Sequence, residues 1–238
     1  MIVMSWNILA EPLVESPMCC RMNKIIRILR SFHADIVFLQ EVTSAARRVL
    51  QMKLGKTYFV GELAAHDQSE WRSGRTRIPY GNLTMVRREF GRIRKHQTKT
   101  EWHRWGTAFD LNWIAHGNQV IATANLHLDS SNHRTRNEEL RALLRHWNPQ
   151  TDRIMVAGDF NSDGTDLRNR MLRSGFSHAN SFSDITCVED DKAIDFIYAT
   201  VPTYGEAFAI SMKESGSDHY PVVAAVNFHK SSFRTRSA

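Results

Sequence analysis

Eight polar residues share one kind of position, at or beside the end of a short apolar run: Asn7, Glu41, His127, Asp159, Asn161, Asp195, Asp218 and His219. They comprise carboxylates, amides and imidazoles, and no cysteine cluster accompanies them. Hard oxygen donors such as Glu41, Asp159 and Asp218 suit magnesium or manganese better than zinc. Phosphoryl transfer requires a cation on the non-bridging oxygens, an activated water and a donor to the charging transition state. Carboxylates can hold the cation and orient the water, while an amide and a protonated imidazole can donate to phosphate oxygens. A serine hydrolase would instead need a Gly-x-Ser-x-Gly elbow, and a nucleotide-binding loop of the Walker type would need its own glycine pattern; neither occurs. Singly, each residue has a plain structural role, since Asp and Asn cap helices and make turns. The repetition of one placement is what points to chemistry.

The elements that would deliver these residues are legible in outline. Residues 2–5, 35–39 and 154–157 are continuous apolar runs, as in buried strands, and lead to Asn7, Glu41 and Asp159. Residues 119–128 form a further strand carrying His127, paired as a hairpin with 109–114 across the turn signal His116-Gly117-Asn118. Residues 194–199 carry Asp195 early, and Asp218 and His219 precede a last strand at 221–228. Two further strands are expected at 57–60 and 83–86, flanking a polar stretch, 65–80, that reads as a surface loop. Helical spacing occurs at 18–31, 45–54 and 134–147. Strands outnumber helices, and no repeat or linker interrupts them. The expectation is one α/β domain over 1–228, two packed mixed sheets with helices outside, and a basic disordered tail at 229–238.

The 238 residues, 42% hydrophobic, suffice for one large core. Three cysteines without regular spacing are not a disulfide framework. The N-terminus lacks the pattern of a signal peptide, and no run approaches the ~20 apolar residues of a membrane span. A soluble intracellular protein is expected. The net charge of +6 favours an anionic partner without separating nucleic acid from an acidic membrane.

Six segments, in order, resemble the motifs of the endonuclease/exonuclease/phosphatase superfamily. They are Ser5-Trp6-Asn7-Ile8-Leu9-Ala10, Leu39-Gln40-Glu41-Val42, Asn125-Leu126-His127-Leu128, Gly158-Asp159-Phe160-Asn161-Ser162, Ile194-Asp195-Phe196-Ile197 and Ser217-Asp218-His219-Tyr220-Pro221-Val222. The resemblance spans nearly the whole chain and implies a four-layer αββα sandwich with Mg2+-dependent (or Mn2+-dependent) cleavage of phosphate esters. By motif, Glu41 would be the principal metal ligand with Asn7 beside it, and Asp218 would add a metal contact. Asp159 would orient or deprotonate the attacking water, and Asn161 would bind phosphate. His219 would stabilise the transition state with its ring oriented by Asp195, and His127 stands where family members place a phosphate-contacting His or Tyr. Asn82 and Arg136 are assigned to substrate contact.

The motifs are nearest to the deadenylase and tyrosyl-DNA phosphodiesterase branches, so the expected substrate is RNA or DNA. Ser162-Asp163-Gly164 lacks the proline that deadenylases often carry after the serine. His127-Leu128-Asp129-Ser130, followed by Arg134 and Arg136, is closer to the phosphodiesterase branch. Cations and aromatics from Arg87-Arg88 through Arg92, Arg94-Lys95-His96 and Lys99 to Trp102 and Trp105 read either as a single-strand groove or as a solvated strand face. Trp71, Arg72, Arg75 and Arg77 form either a substrate lid or a plain loop. Outside the nuclease class stand a phosphoinositide or sphingolipid esterase at an anionic membrane, and a catalytically inert binding module on the same fold.

Overall fold

A computed structural model describes residues 1–9, 18–73, 76–99, 109–147, 153–163, 165–180, 185–189, 191–200, 208–209 and 216–227. The strands are β1 (Ile2–Asn7), β2 (Ile36–Thr43), β3 (Tyr58–Val60), β4 (Ala64–Ser73), β5 (Thr76–Arg87), β6 (Arg92–Lys99), β7 (Phe109–His116), β8 (Gln119–His127), β9 (Ile154–Asp159), β10 (Ser177–His178), β11 (Asp195–Ala199), β12 (Phe208–Ala209) and β13 (Val222–Ala225). The helices are α1 (Met18–Phe32), α2 (Ser44–Leu54), α3 (His133–Leu144) and α4 (Thr165–Arg173).

The strands form two mixed sheets. The first runs β12-β13-β1-β2-β5-β3, with β4 also on β5; the second runs β10-β11-β9-β8-β7-β6. Three apolar layers bind them. Val3, Ile36, Phe38, Val86, Ile121, Met155 and Ile197 fill the space between the sheets. On the outer side of the first sheet, α1 places Met22, Ile25, Ile26 and Leu29, one stripe at helical spacing, against Trp6, Val37 and Leu39. On the outer side of the second, Leu140 and Leu143 of α3 and Leu167 and Met171 of α4 meet Val156, Phe160 and Phe196. The result is the expected α/β sandwich. Truncating a fully buried side chain in the middle layer, such as Ile197 or Phe38, costs roughly 2–5 kcal/mol.

Helix starts follow local chemistry. The Thr43 hydroxyl accepts from Ala46 N, and the Asn132 side chain accepts from Arg134 N and Thr135 N, satisfying first-turn donors of α2 and α3.

One expectation needs correction, and two further regions are sharpened. Residues 65–80 are not a loop: their backbone pairs as the β4–β5 hairpin, with Glu70 opposite Pro79 and Ser73 opposite Thr76. An outward continuation of β5, whose inner end carries the buried Leu83, Met85 and Val86, explains why strand pairing persists without apolar alternation. The helix α4 went unanticipated because only Leu167 and Met171 anchor it. The cationic stretch is not one surface either. Arg87 pairs with Asp35 at the end of the first sheet remote from Glu41, and Arg88 donates to Gly55 O and covers the Phe59 ring. On β6, Arg92, Arg94 and Lys95 are exposed, with Lys95 over Trp113. Arg75, Trp102, Trp105 and the tail from 229 lie outside the described residues, as do the side chains of Trp71, Arg72, Arg77 and Lys99.

Candidate active site

The sheet registers carry most of the site to one rim. In the first sheet β1 and β2 are parallel, with Asn7 opposite Gln40. In the second, His127 lies opposite Asp159 across parallel β8 and β9, and Asp195 lies opposite Asp159 across antiparallel β11. Contact between the sheets is made directly: Asn7 Nδ2 of the first donates to Asp159 Oδ2 of the second at 3.2 Å. The same amide donates to Glu41 Oε1 at 3.1 Å, so one side chain holds two carboxylates in place. Its Oδ1 accepts from Leu9 N.

Polar pins beneath the rim fix how the sheets meet. Gln40 Nε2 donates to Asn125 Oδ1 at 2.7 Å, Asn125 Nδ2 to Leu39 O, and Asn82 Nδ2 to Asn125 O. All three side chains are fully buried. Asn82, assigned from sequence to substrate contact, therefore sits below the rim in a sheet-to-sheet bond.

Local backbone departs from regular strand at the chemistry. The β2–β5 register shifts between Leu39 and Val42, and Glu41 within that bulge has φ 55°. Asn161, with φ 48°, is also left-handed. Such conformations cost of order 1–3 kcal/mol in non-glycine residues and persist where surrounding contacts impose them. Before Asp159 stands Gly158, φ 147°, where a Cβ would fall 1.9 Å from Leu126 O. Only glycine lets β9 approach β8 closely enough to set Asp159 beside His127.

Asp159 is the centre. His127 Nε2 lies 3.6 Å and His219 Nε2 3.8 Å from its Oδ2, while Oδ1 accepts from Asn161 N at 2.8 Å. Burial first, and then the neighbouring Asp195 carboxylate, raise its pKa; the two histidines and the Asn161 amide pull the other way. Behind His219, Asp195 Oδ2 accepts from Nδ1 at 2.8 Å. Burial acts to lower the His219 pKa, but the charge and hydrogen bond of Asp195, with Cys187 and Asp159, hold it far above the ordinary value.

The loop carrying His219 is held on several sides. Trp6 Nε1 donates to His219 O, the Ser217 hydroxyl donates to Asn7 O, and Val188 N donates to Asp218 O. The Thr186 hydroxyl accepts from both Ile194 N and Asp195 N, and its carbonyl accepts from Tyr220 N. Thr186 and Cys187 were not anticipated from sequence: they lie in irregular chain without periodicity, and only the folded contacts reveal them. Asp218 is half-buried in the 216–219 turn, next to Ser217. Asn161 donates from its amide to Leu128 O and lines a 320 Å³ cavity shared with Arg136 and Lys192.

The carboxylates suit a divalent cation. Glu41 shares the Asn7 amide with Asp159, the Asp159 and Asp195 oxygens lie within 4.8 Å of each other and of the His219 ring nitrogen, and Asp195 Oδ1 is buried without a hydrogen-bond partner.

A two-sheet sandwich with carboxylates and histidines gathered at its rim is the architecture of the deoxyribonuclease I class. A profile of the Endonuclease/Exonuclease/phosphatase family matches residues 4–219. The chain belongs to that family, whose members are hydrolases of phosphoester bonds. No curated protein matches it by sequence. Among solved structures, it is similar to humanized Danio rerio TDP2 (17% identity, TM-score 0.74, covering 95% of this chain and 98% of the other). It is similar to D. rerio TDP2 complexed with single strand DNA product (18%, 0.71, 95% and 98%). A mannosyl-6-phosphatase from Bacteroides thetaiotaomicron also shares the fold (14%, 0.75, 96% and 100%). Among the described residues, no helix is long and apolar enough to cross a membrane.

Proposed function

We propose that this chain is a Mg2+-dependent phosphodiesterase that cleaves RNA or DNA, with Mn2+ as an alternative metal. The observation that carries the reading is the convergence on Asp159 of Asn7, His127 and His219, with Asp195 fixing the His219 ring from behind. An imidazole kept protonated between two carboxylates has no lone pair for a metal. Glu41, Asn7 and Asp218 would hold the cation, with Glu41 tied to Asp159 through the shared Asn7 amide. When bound, it would neutralise charge developing on the phosphate oxygens.

The protein's own groups do the rest. Asp159, its carboxyl pKa raised, accepts a proton from the attacking water. His219, cationic and immobilised by Asp195, donates to a phosphate oxygen as negative charge builds. His127 contacts the phosphate from the β8 side, and Asn161 binds it beside the cavity that holds Arg136. The net charge of +6 and the likeness to a TDP2 structure holding single strand DNA support a nucleic acid substrate. A phosphomonoester of a sugar is the second reading, favoured by the mannosyl-6-phosphatase fold match.

Purified protein offered single-stranded RNA, single- and double-stranded DNA, a 5′-tyrosyl oligonucleotide, a sugar phosphate and phosphoinositides, each with Mg2+ and with chelator, tests the reading. Metal-dependent turnover of a nucleic acid is expected; turnover confined to the sugar phosphate or the lipid overturns it.

A further inference from the structure

Beyond the rim, two helices build a cationic groove that the proposed chemistry does not use. A 540 Å³ depression between α3 and α4 is lined by four arginines, Arg134, Arg141, Arg170 and Arg173, against two carboxylates, Glu138 and Asp166. One of those carboxylates is already spent, since Glu138 accepts from Arg134 Nε at 3.0 Å on the same helix. Partial burial, followed by the charges of Arg141 and Arg173, pushes the Arg170 pKa below its ordinary value, against the opposing charge of Asp166. Arg170 Nη2 donates to Asn137 Oδ1, while its buried Nε has no hydrogen-bond partner. Four guanidinium groups against two carboxylates leave a net positive lining that favours an anion.

The groove leads to the reacting centre. His133 and Asp166 line both this depression and the 320 Å³ cavity that holds Arg136, Lys192 and Asn161. The track thus passes from Asn161, two residues beyond Asp159, over the start of α3 and along its surface. His133, Asn137 and Arg141 form a stripe of about 12 Å at 1.5 Å rise per residue, too long for one phosphate. Among the described residues, the α3–α4 depression is lined by no aromatic side chain to stack a base other than His133, and by no aliphatic one to hold an acyl chain. Its chemistry is that of repeated phosphates read without regard to sequence.

We propose that the α3–α4 groove binds the sugar–phosphate backbone of a single nucleic acid strand extending from the scissile phosphate, through Arg141, Arg170 and Arg173. This rests on the nucleic acid reading of the rim. It makes the enzyme's grip depend on strand length: a substrate confined to the rim gains nothing from the groove, and each phosphate that reaches it adds a charge-assisted hydrogen bond.

The test pairs the exposed Arg141→Glu/Arg173→Glu variant with the milder Arg141→Gln/Arg173→Gln. Affinity for a fluorescent single-stranded DNA of about 16 nucleotides is measured by anisotropy in chelator, where no cleavage occurs. The charge-reversed protein is expected to bind about tenfold or more weakly and the neutral variant by an intermediate factor. The slope of log affinity against log salt should shrink by about 0.7 for each phosphate that the variant no longer neutralises. With Mg2+, KM for the long strand should rise with kcat held, and the defect should fade as the strand is shortened to a dinucleotide. Equal affinity of wild type and both variants for the strand overturns the groove. So does a loss confined to phosphatidylserine or phosphoinositide vesicles, which would make this face a lipid surface. If wild type cleaves no nucleic acid at all, the activity assigned to the rim falls, and binding in chelator still decides the groove.

Discussion

Two histidines in this molecule each rest against a buried aspartate, with different consequences. His219 lies on Asp195 in irregular chain at the rim; His96, on the edge strand β6, lies 3.0 Å from Asp110 of β7. The carboxylates differ in how fully they are engaged. Asp110 Oδ2 accepts from the Thr84 hydroxyl of the opposite sheet at 2.6 Å, and Oδ1 accepts from Asn112 and faces His96. Asp195 gives one oxygen to His219 and keeps the other buried without a hydrogen-bond partner. His219 also has a second acid, Asp159, on its far ring nitrogen, where His96 has none that close among the described residues. A carboxylate with both oxygens engaged is a rivet between sheets. One with capacity left over, facing a second acid through an imidazolium, is equipped for chemistry.

The largest effects should fall on the rim. Asp159→Asn or His219→Ala is expected to lower turnover by about 10³-fold with the unfolding midpoint in urea little changed. Metal-dependent activity retained in both would remove the assignment. Asp195→Asn keeps the shape but withdraws the charge that holds His219 protonated, and should cost about 10²-fold or more in kcat. A wild-type rate in that variant would make Asp195 as purely structural as Asp110.

The rivet should behave in the opposite way. Asp110→Ala leaves Thr84 and Asn112 polar groups buried without their acceptor, an expected loss of about 2–4 kcal/mol in unfolding free energy, with kcat of the folded fraction near wild type. A variant as stable as the parent but catalytically dead would invert the comparison.

The smallest effect concerns pH. Contact with Asp110 raises the His96 pKa, partly offset by burial, with the charges of Asp110 and Glu62 adding to the rise. A folded-state pKa above the unfolded one gives stabilisation that is complete below the unfolded value, near 6.5, and fades as pH rises through the folded value. His96 remains partly exposed, so the amount is about 1 kcal/mol or less. Urea unfolding of His96→Gln and wild type should diverge at pH 5.5 and converge at about pH 9. Parallel curves across that range would mean that His96 carries no such load.

The contrast between the pairs also marks how far the sequence could be read. Asn7, Glu41, Asp159 and His127 follow apolar runs whose length and composition announce buried strands, so their shared rim is legible from the chain alone. Asp110 lies in a readable strand, but its partners Thr84 and His96 come from two other strands, and no spacing connects them. Thr186 is harder still, because the sequence between 180 and 194 has no periodicity to place it beside Asp195. The polar hairpin β4–β5 escapes a pattern reading for a related reason: its order continues from the buried end of β5 rather than from an apolar pattern of its own. Local pattern reveals where strands end; it does not reveal which side chains meet across sheets.

The Trp6 hydrogen bond offers an optical handle on all this. Its indole is fully buried, and Nε1 donates to the backbone carbonyl of His219, so its emission is sensitive to that loop. The difference between the fluorescence of wild type and Trp6→Phe isolates one signal among the chain's six tryptophans. Titrating metal or substrate while following that difference would report movement of the His219 loop without any attached dye.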